Sequence, residues 1–225
     1  NADTSTDAQG MATASATDNC DDAPEVNIEV SDSDPVSVCE GSYSFTRTFT
    51  ATATDHCDST HSASCSQLIS VQDVTNPTLT EAADQMVECD GSGNTAALGA
   101  FLSTHGGAEA SDNCSEITWS DDFTALSDDC GETGSVTVTF TASDDCGNTS
   151  ETSATFTIVD MTAPEITADA TTEVSCDLFD MEALYAITAS DDCGSVSIEI
   201  TAQSEVSGEC AGSYYRLYTV TDACG

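Results

Sequence analysis

The chain has no lysine and only two arginines, Arg47 and Arg216, against 41 acidic residues, for a formal charge of -39 at neutral pH. A field of that sign repels phosphate, so nucleic acid and anionic membrane surfaces are excluded as partners, while cations are attracted. Trp119 is the single tryptophan, which leaves no aromatic platform for sugars. The three histidines, His56, His61 and His105, are scattered in loop-like sequence, and no nucleophile has a base at a motif spacing, so no catalytic residue is expected. No apolar run is long enough to cross a bilayer and no signal peptide is visible, as expected of an internal piece of a secreted or surface protein.

What the chain does have is 12 cysteines, together with 33 threonines and 29 serines. Cysteine at this density without catalytic context points to disulfides and an oxidising, extracellular setting. The hydroxyl residues suit exposed strand faces and offer many sites for O-glycans.

The cysteines recur in phrases built on Asp-x-Cys: 17–20, 54–57, 111–114, 143–148, 190–194 and 221–225. Aligning them sorts eleven of the twelve into four classes: Cys89 and Cys176; Cys20, Cys114 and Cys193; Cys39, Cys130 and Cys210; and Cys57, Cys146 and Cys224. Cys65 is left over. Copies are spaced by 78 to 94 residues, the size of a small β-sandwich. A second marker, a strand running into Asp-x-Thr-x-Pro at 69–77 and 158–164, reads as a closing strand and a stiff linker. These markers predict three domains: 1–75, without its first strand; 76–162, complete; and 163–225, without its last strand. The expected fold is all-β, with tandem immunoglobulin-like β-sandwiches stapled by disulfides and strung end to end.

Within each copy the clearest strand precedes the fourth cysteine class. In the stretch from Val136 to Ala142 apolar residues alternate with threonine, the period-2 pattern of a half-buried strand. The copies at 43–49 and 214–218 align with it on an aromatic residue, and both arginines then fall on the position that Val138 occupies in the middle copy. Arg47 and Arg216 are therefore expected as structural ion pairs, stem against strand aromatics and head on a carboxylate; an anchor for an acidic neighbouring surface is the other reading. Short helical inserts are expected at 95–102 and 178–185.

The Ala-x-Asp-x-Cys-Gly-Asn phrase, the Arg-Thr-Phe-Thr-Ala-Thr strand and the Val-x-Asp-x-Thr-x-Pro linker together resemble the hyalin-repeat family of large secreted surface proteins. The resemblance implies an immunoglobulin-like sandwich, a role in adhesion or extracellular architecture, and no catalytic residues. The extreme acidity and the stray Cys65 depart from that pattern.

Local pairing of the cysteines is expected, first class with second and third with fourth: Cys89–Cys114, Cys130–Cys146, Cys176–Cys193, Cys39–Cys57 and Cys210–Cys224. Cys20 and Cys65 remain, joined to each other or to residues upstream. The junction aspartates Asp73 and Asp160, with Asp144, Asp145, Asp191 and Asp192 in adjacent turns, form the candidate metal set, because hard oxygen ligands at a domain boundary suit Ca²⁺; solvated acidic turns are the plainer alternative. His56, Cys57, His61 and Cys65 have metal-like spacing, but oxidised cysteines are the commoner state in a secreted repeat. Asn113 and Asn148 fit the N-glycosylation pattern.

Two functions compete on this basis. The first is a structural protein whose sandwich units stack head to tail with copies of itself into an extracellular filament, appendage or matrix fibre, the ends joined by strand addition. The second is a calcium-dependent cell-surface adhesin stalk that binds glycans or partner proteins.

Overall fold

The computed structural model describes residues 25–54, 59–168, 187–204 and 215–225. Fourteen strands, one α-helix and a 3-10 turn (His105–Gly107) are found there: β1 (Glu25–Asp32), β2 (Val36–Cys39), β3 (Ser42–Thr54), β4 (Thr60–Val71), β5 (Thr78–Leu79), β6 (Gln85–Glu88), α1 (Thr95–Ser103), β7 (Ala110–Ser111), β8 (Thr118–Asp121), β9 (Gly134–Ser143), β10 (Thr149–Val159), β11 (Glu165–Ala168), β12 (Ile187–Ser190), β13 (Ser197–Gln203) and β14 (Arg216–Thr221). The fold is all-β, of the sandwich type, and stapled by disulfides.

By packing, the chain gathers into two compact units. One consists of Asn1–Thr78, Ala110–Thr118 and Ala142–Ser150; the other of Leu79–Glu109, Trp119–Thr141 and Glu151–Gly225. Each unit thus draws on more than one sequence copy.

In the first unit β3 is the central strand. One of its edges carries β1 and β2, and the other pairs with β4 along its whole length, Tyr43 opposite Val71 and Thr54 opposite Thr60. Phe45 and Arg47, two residues apart and so on one face, are buried at 7% and 4% exposure. β4 is almost entirely exposed and, among the described residues, pairs with β3 alone.

The second unit holds the better core. Its sheet runs β6-β10-β9-β8, with β6 parallel to β10, Phe156 opposite Gln85 and Val159 opposite Glu88. The alternating pattern of β9 puts Val138 and Phe140 at zero exposure, against Phe156 and Ile158 of β10 and Phe101 of α1. Phe101 meets Phe140 edge-on at 5.6 Å and Phe156 at 5.3 Å between ring centroids, distances at which aromatic pairs contribute beyond their buried area. α1 lies where a helical insert is expected; the second such insert, at 178–185, falls outside the described residues.

Among the described residues three disulfides are formed: Cys39–Cys146, Cys89–Cys193 and Cys130–Cys224, with Cα atoms 5.3, 5.5 and 5.1 Å apart. These correct the local pairing. Cys39 bonds Cys146 instead of Cys57, Cys89 bonds Cys193 instead of Cys114, and Cys130 bonds Cys224 instead of Cys146. The classes pair as expected, third with fourth and first with second, but each bond skips one copy ahead. The physical reason is that a strand end of one copy lies beside the turns of the next. Val159 accepts a hydrogen bond from the Cys89 amide, so β10 seats Cys89 directly against the 191–194 turn. Cys65 and Cys114 are free thiols, which corrects their assignment as disulfide residues. Cys65 stands exposed on β4 opposite Phe49, with no cysteine across the ladder. Cys20, Cys57, Cys176 and Cys210, and with them the expected pairs that include them, lie outside the described residues.

Candidate functional site: two equivalent carboxylate clusters

Among the described residues each unit contains one cluster of carboxylates, built around the same two repeat positions. In the first unit the chain leaves β4 at Asp73, whose amide donates to Ser42 Oγ at 2.7 Å and whose Oδ1 accepts the Thr75 amide. Asp112, two residues before Cys114, uses Oδ1 to accept the Cys114 amide at 2.7 Å. This is the Asx turn that aspartate favours in such phrases, and it fixes the rest of the carboxylate. The Oδ2 atoms of Asp73 and Asp112 are both buried without a hydrogen-bond partner, and one oxygen from each gathers within 4.8 Å of the Cys114 sulfur.

In the second unit Asp160 repeats Asp73, Asp191 repeats Asp112, and Asp222 repeats Asp144. Asp191 Oδ1 accepts the Cys193 amide at 2.7 Å, and Asp222 Oδ1 accepts the Cys224 and Gly225 amides. Oxygens of Asp160, Asp191 and Asp222 lie within 4.8 Å of one another. Glu88, at the end of β6, adds a fourth carboxylate: its Oε1 accepts from the Met161 amide at 2.9 Å and from Thr162 Oγ1 at 2.8 Å. Glu88 Oε2 and Asp160 Oδ2 are again buried and unpartnered. Buried polar atoms are nearly always satisfied, so four orphaned carboxylate oxygens at two equivalent places need a physical explanation.

Electrostatics separates the members. Burial, together with the Asp191, Asp222 and Glu88 carboxylates, pushes Asp160 above the usual carboxylate range, against a lowering contribution from the Thr162 amide. Glu88 is lowered, chiefly by the Met161 amide and the Thr162 side chain. Burial, then the carboxylates of Asp73 and Asp112, push the Cys114 thiol up. A protonated thiol is a poor ligand, and the Cys89 and Cys193 sulfurs are tied in a disulfide, so both clusters are oxygen sites suited to a hard cation.

Of the expected metal set, the structure brings Asp73, Asp160 and Asp191 into these clusters. Asp144 is buried but satisfied: burial raises it, and hydrogen bonds from the side chain and amide of Asn148 outweigh that and hold it low. Asp145 accepts the Glu40 amide at 3.1 Å, and Asp192 is exposed. Asp112, Asp222 and Glu88 are the members that sequence reasoning missed. A signal for two of them was present, because every Asp-x-Cys phrase keeps its first aspartate, while the following residue varies among Asn, His, Asp and Ala.

The remaining candidates separate clearly. His61 and Cys65 are four residues apart on extended β4, about 13 Å, too far to share one ion; His56 and Cys57 lie outside the described residues. His105 stacks on Trp119 at 4.3 Å. The Asn148 amide nitrogen donates to Asp144 and to the Asp73 carbonyl, and a glycan there would replace one of these bonds. Asn113 is exposed and donates to the Cys114 sulfur. Arg47 pairs with Asp32, and Arg216 Nε donates to Gln203 at 3.1 Å.

A glycine that follows the third-class cysteine closes each cluster. Gly41 and Gly131 both have positive φ, at 79° and 57°. A Cβ on Gly41 would stand 2.6 Å from Cys114 Cβ, and one on Gly131 would overlap the Cys193 carbonyl oxygen. Only glycine meets both demands.

No protein-family model matches the chain, and no curated protein does. Among solved structures, the chain is similar to the extracellular cadherin domains 1-4 of protocadherin gamma B7 at 14% identity, covering 89% of this chain and 59% of that one with a TM-score of 0.27. The protocadherin gammaB7 EC3-6 cis-dimer structure gives 15%, 88%, 65% and 0.30, and protocadherin gamma B2 domains 1-5 give 14%, 88%, 46% and 0.28. The chain therefore spans about three-fifths of the first of these structures.

Proposed function

We propose that the chain is a non-catalytic segment of an extracellular structural array, with hyalin-like β-sandwich copies locked each to the next by disulfides and stiffened at every join by a divalent cation. The observation that carries this reading is the recurrence of one cluster at two equivalent positions, each with buried, unpartnered carboxylate oxygens beside a second-class cysteine, Cys114 or Cys193. Calcium fits the donor set best: it takes six to eight oxygens in flexible geometry, which Asp73 and Asp112, or Glu88, Asp160, Asp191 and Asp222, begin to supply. The bound ion would satisfy the orphaned oxygens and cancel part of their mutual repulsion. The disulfides support an oxidising, extracellular location.

With an affinity near 1 mM, typical of extracellular modules, 10 mM calcium would stabilise the fold by about 1.4 kcal/mol per site. Thermal unfolding in CaCl₂ and in NaCl of matched ionic strength tests this, because monovalent salt can only screen. A midpoint that rises with calcium alone supports the junction sites; equal responses overturn them. Electron microscopy of the same samples separates the two architectures, since a filament segment forms end-to-end assemblies while an adhesin stalk stays monomeric.

A further inference from the structure

The two clusters differ first in Asp222, whose equivalent Asp144 is tied to Asn148, and second in what accompanies β6. The second comprises Asp160, Asp191 and Cys193 together with Glu88 and Cys89. The first comprises the equivalent Asp73, Asp112 and Cys114 and, among the described residues, nothing that corresponds to Glu88 and Cys89. Glu88 ends β6 and Cys89 follows it; in the second unit β6 occupies the outer edge of β10 over Phe156–Val159. Counting back from Asp73 and Asp160, the equivalent stretch is Ile69 to Gln72, the last three residues of β4 and the one after it. Among the described residues no strand pairs with that edge. The edge is also undefended. From 59 to 72 the sequence has no proline, glycine or acidic residue, in a chain with 41 acids, whereas natural edge strands are commonly blunted by charge or proline.

A free thiol and an open strand edge thus coincide where the second unit has a bonded cysteine and a paired strand. We infer that the β4 edge with Cys114 is an acceptor for a cysteine-ended β-strand of the kind of Met86-Val87-Glu88-Cys89, supplied by a further copy of the repeat. The strand adds parallel to β4 at 69–72, its glutamate joins Asp73 and Asp112, and its cysteine bonds Cys114 as Cys89 bonds Cys193. The inference rests on the stapled-array reading, but its test needs neither calcium nor assembly.

The probe is a synthetic peptide of residues 80–90 with its cysteine held as a mixed disulfide to an aromatic thiol, offered to the full chain. In the exchange the Cys114 sulfur, its proton lost to solvent, attacks the peptide cysteine sulfur; the new disulfide forms and the aromatic thiolate leaves. Unassisted exchange favours Cys65, which is exposed, over the partly buried Cys114. Docking reverses this order: we expect roughly ten-fold or more capture at Cys114 over Cys65, from the raised local concentration of a bound strand. Capture should persist in Cys65→Ser, vanish in Cys114→Ser, and fall to background with a peptide of scrambled order that keeps its cysteine in place. Predominant labelling of Cys65, equal capture of the scrambled peptide, or no capture at all would overturn the inference.

Discussion

Arg47 grips Asp32 with two hydrogen bonds, Nε to Oδ1 and Nη2 to Oδ2, each 2.7 Å long, across the β1–β3 ladder where the two residues stand directly opposite. The arginine side chain is 5% exposed and the aspartate 39%. Its guanidinium carbon also lies 5.6 Å from the Phe45 ring centroid. The same repeat position in the middle copy holds Val138 at zero exposure. A buried strand position therefore takes either an apolar residue or a cation with a fitted counter-charge.

The pair makes stability depend on pH in a defined direction. Hydrogen bonds from Arg47 lead in holding Asp32 below the usual aspartate value of 3.8, with burial opposing. A depressed acid stabilises the fold above its unfolded value and loses that contribution as the pH falls through its folded value. Asp32→Asn should thus lower the denaturation midpoint by a constant amount from pH 5 to 8, as an order-of-magnitude window, with the difference closing below pH 4. A gap that persists undiminished to about pH 2 would remove the pair from the stability account.

Non-reducing peptide mapping should recover Cys39–Cys146, Cys89–Cys193 and Cys130–Cys224, and no bond between Cys89 and Cys114 or between Cys130 and Cys146. Replacing Cys89 and Cys193 together by alanine should cost about 2–5 kcal/mol in denaturant unfolding. A loss well below 1 kcal/mol would mean that the β6–β10 pairing alone holds this join.

Two glycines with the same backbone sign should respond differently to alanine. Gly147, in the β9–β10 turn, has φ of 87° and open space around it, so Gly147→Ala should cost about 1–2 kcal/mol of backbone strain alone. Gly131→Ala adds a clash with the Cys193 carbonyl oxygen to the same strain and should cost clearly more. Equal losses would show that the Gly131 approach is not tight.

The carboxylate clusters predict a change of sign. In chelator, Asp160→Asn should raise the unfolding midpoint, because it removes a buried charge that faces Asp191, Asp222 and Glu88. In calcium the same variant should respond less than the parent, while Asp192→Asn, at an exposed position outside the cluster, should respond fully. A parallel shift of both variants in both buffers would count against a specific site.

In the core, Phe140→Ala removes a fully buried ring that touches Phe101 and should cost about 3–5 kcal/mol. Far-UV circular dichroism of the variant at 25 °C checks that the loss is one of stability and that the fold is kept.

Strands were legible wherever one face is buried, since alternation of the kind in β9 directly reflects the pleat. The aspartates were half legible. Asp73 and Asp160 could be chosen because they sit at linkers and Asp191 because it sits in an adjacent turn, but Asp145 and Asp192 lie in the same turns and were chosen on the same ground. Acidity does not say which carboxylate caps its own turn and so has its second oxygen fixed.

The sequence by itself determined the all-β class, the repeat length and the sorting of eleven cysteines into four classes, because these follow from local periodicity and internal alignment. It did not determine which copy each class bonds to. Loop closure separates a 15-residue from a 100-residue ring by only about 1.7 kcal/mol in the chain-entropy model, too little to outweigh where folded strands place the sulfurs. Only the tertiary structure decided that: β10 delivers Cys89 to Cys193 across 104 residues, and the same step forward by one copy brings Glu88 to Asp160 and leaves Cys114 free beside Asp73.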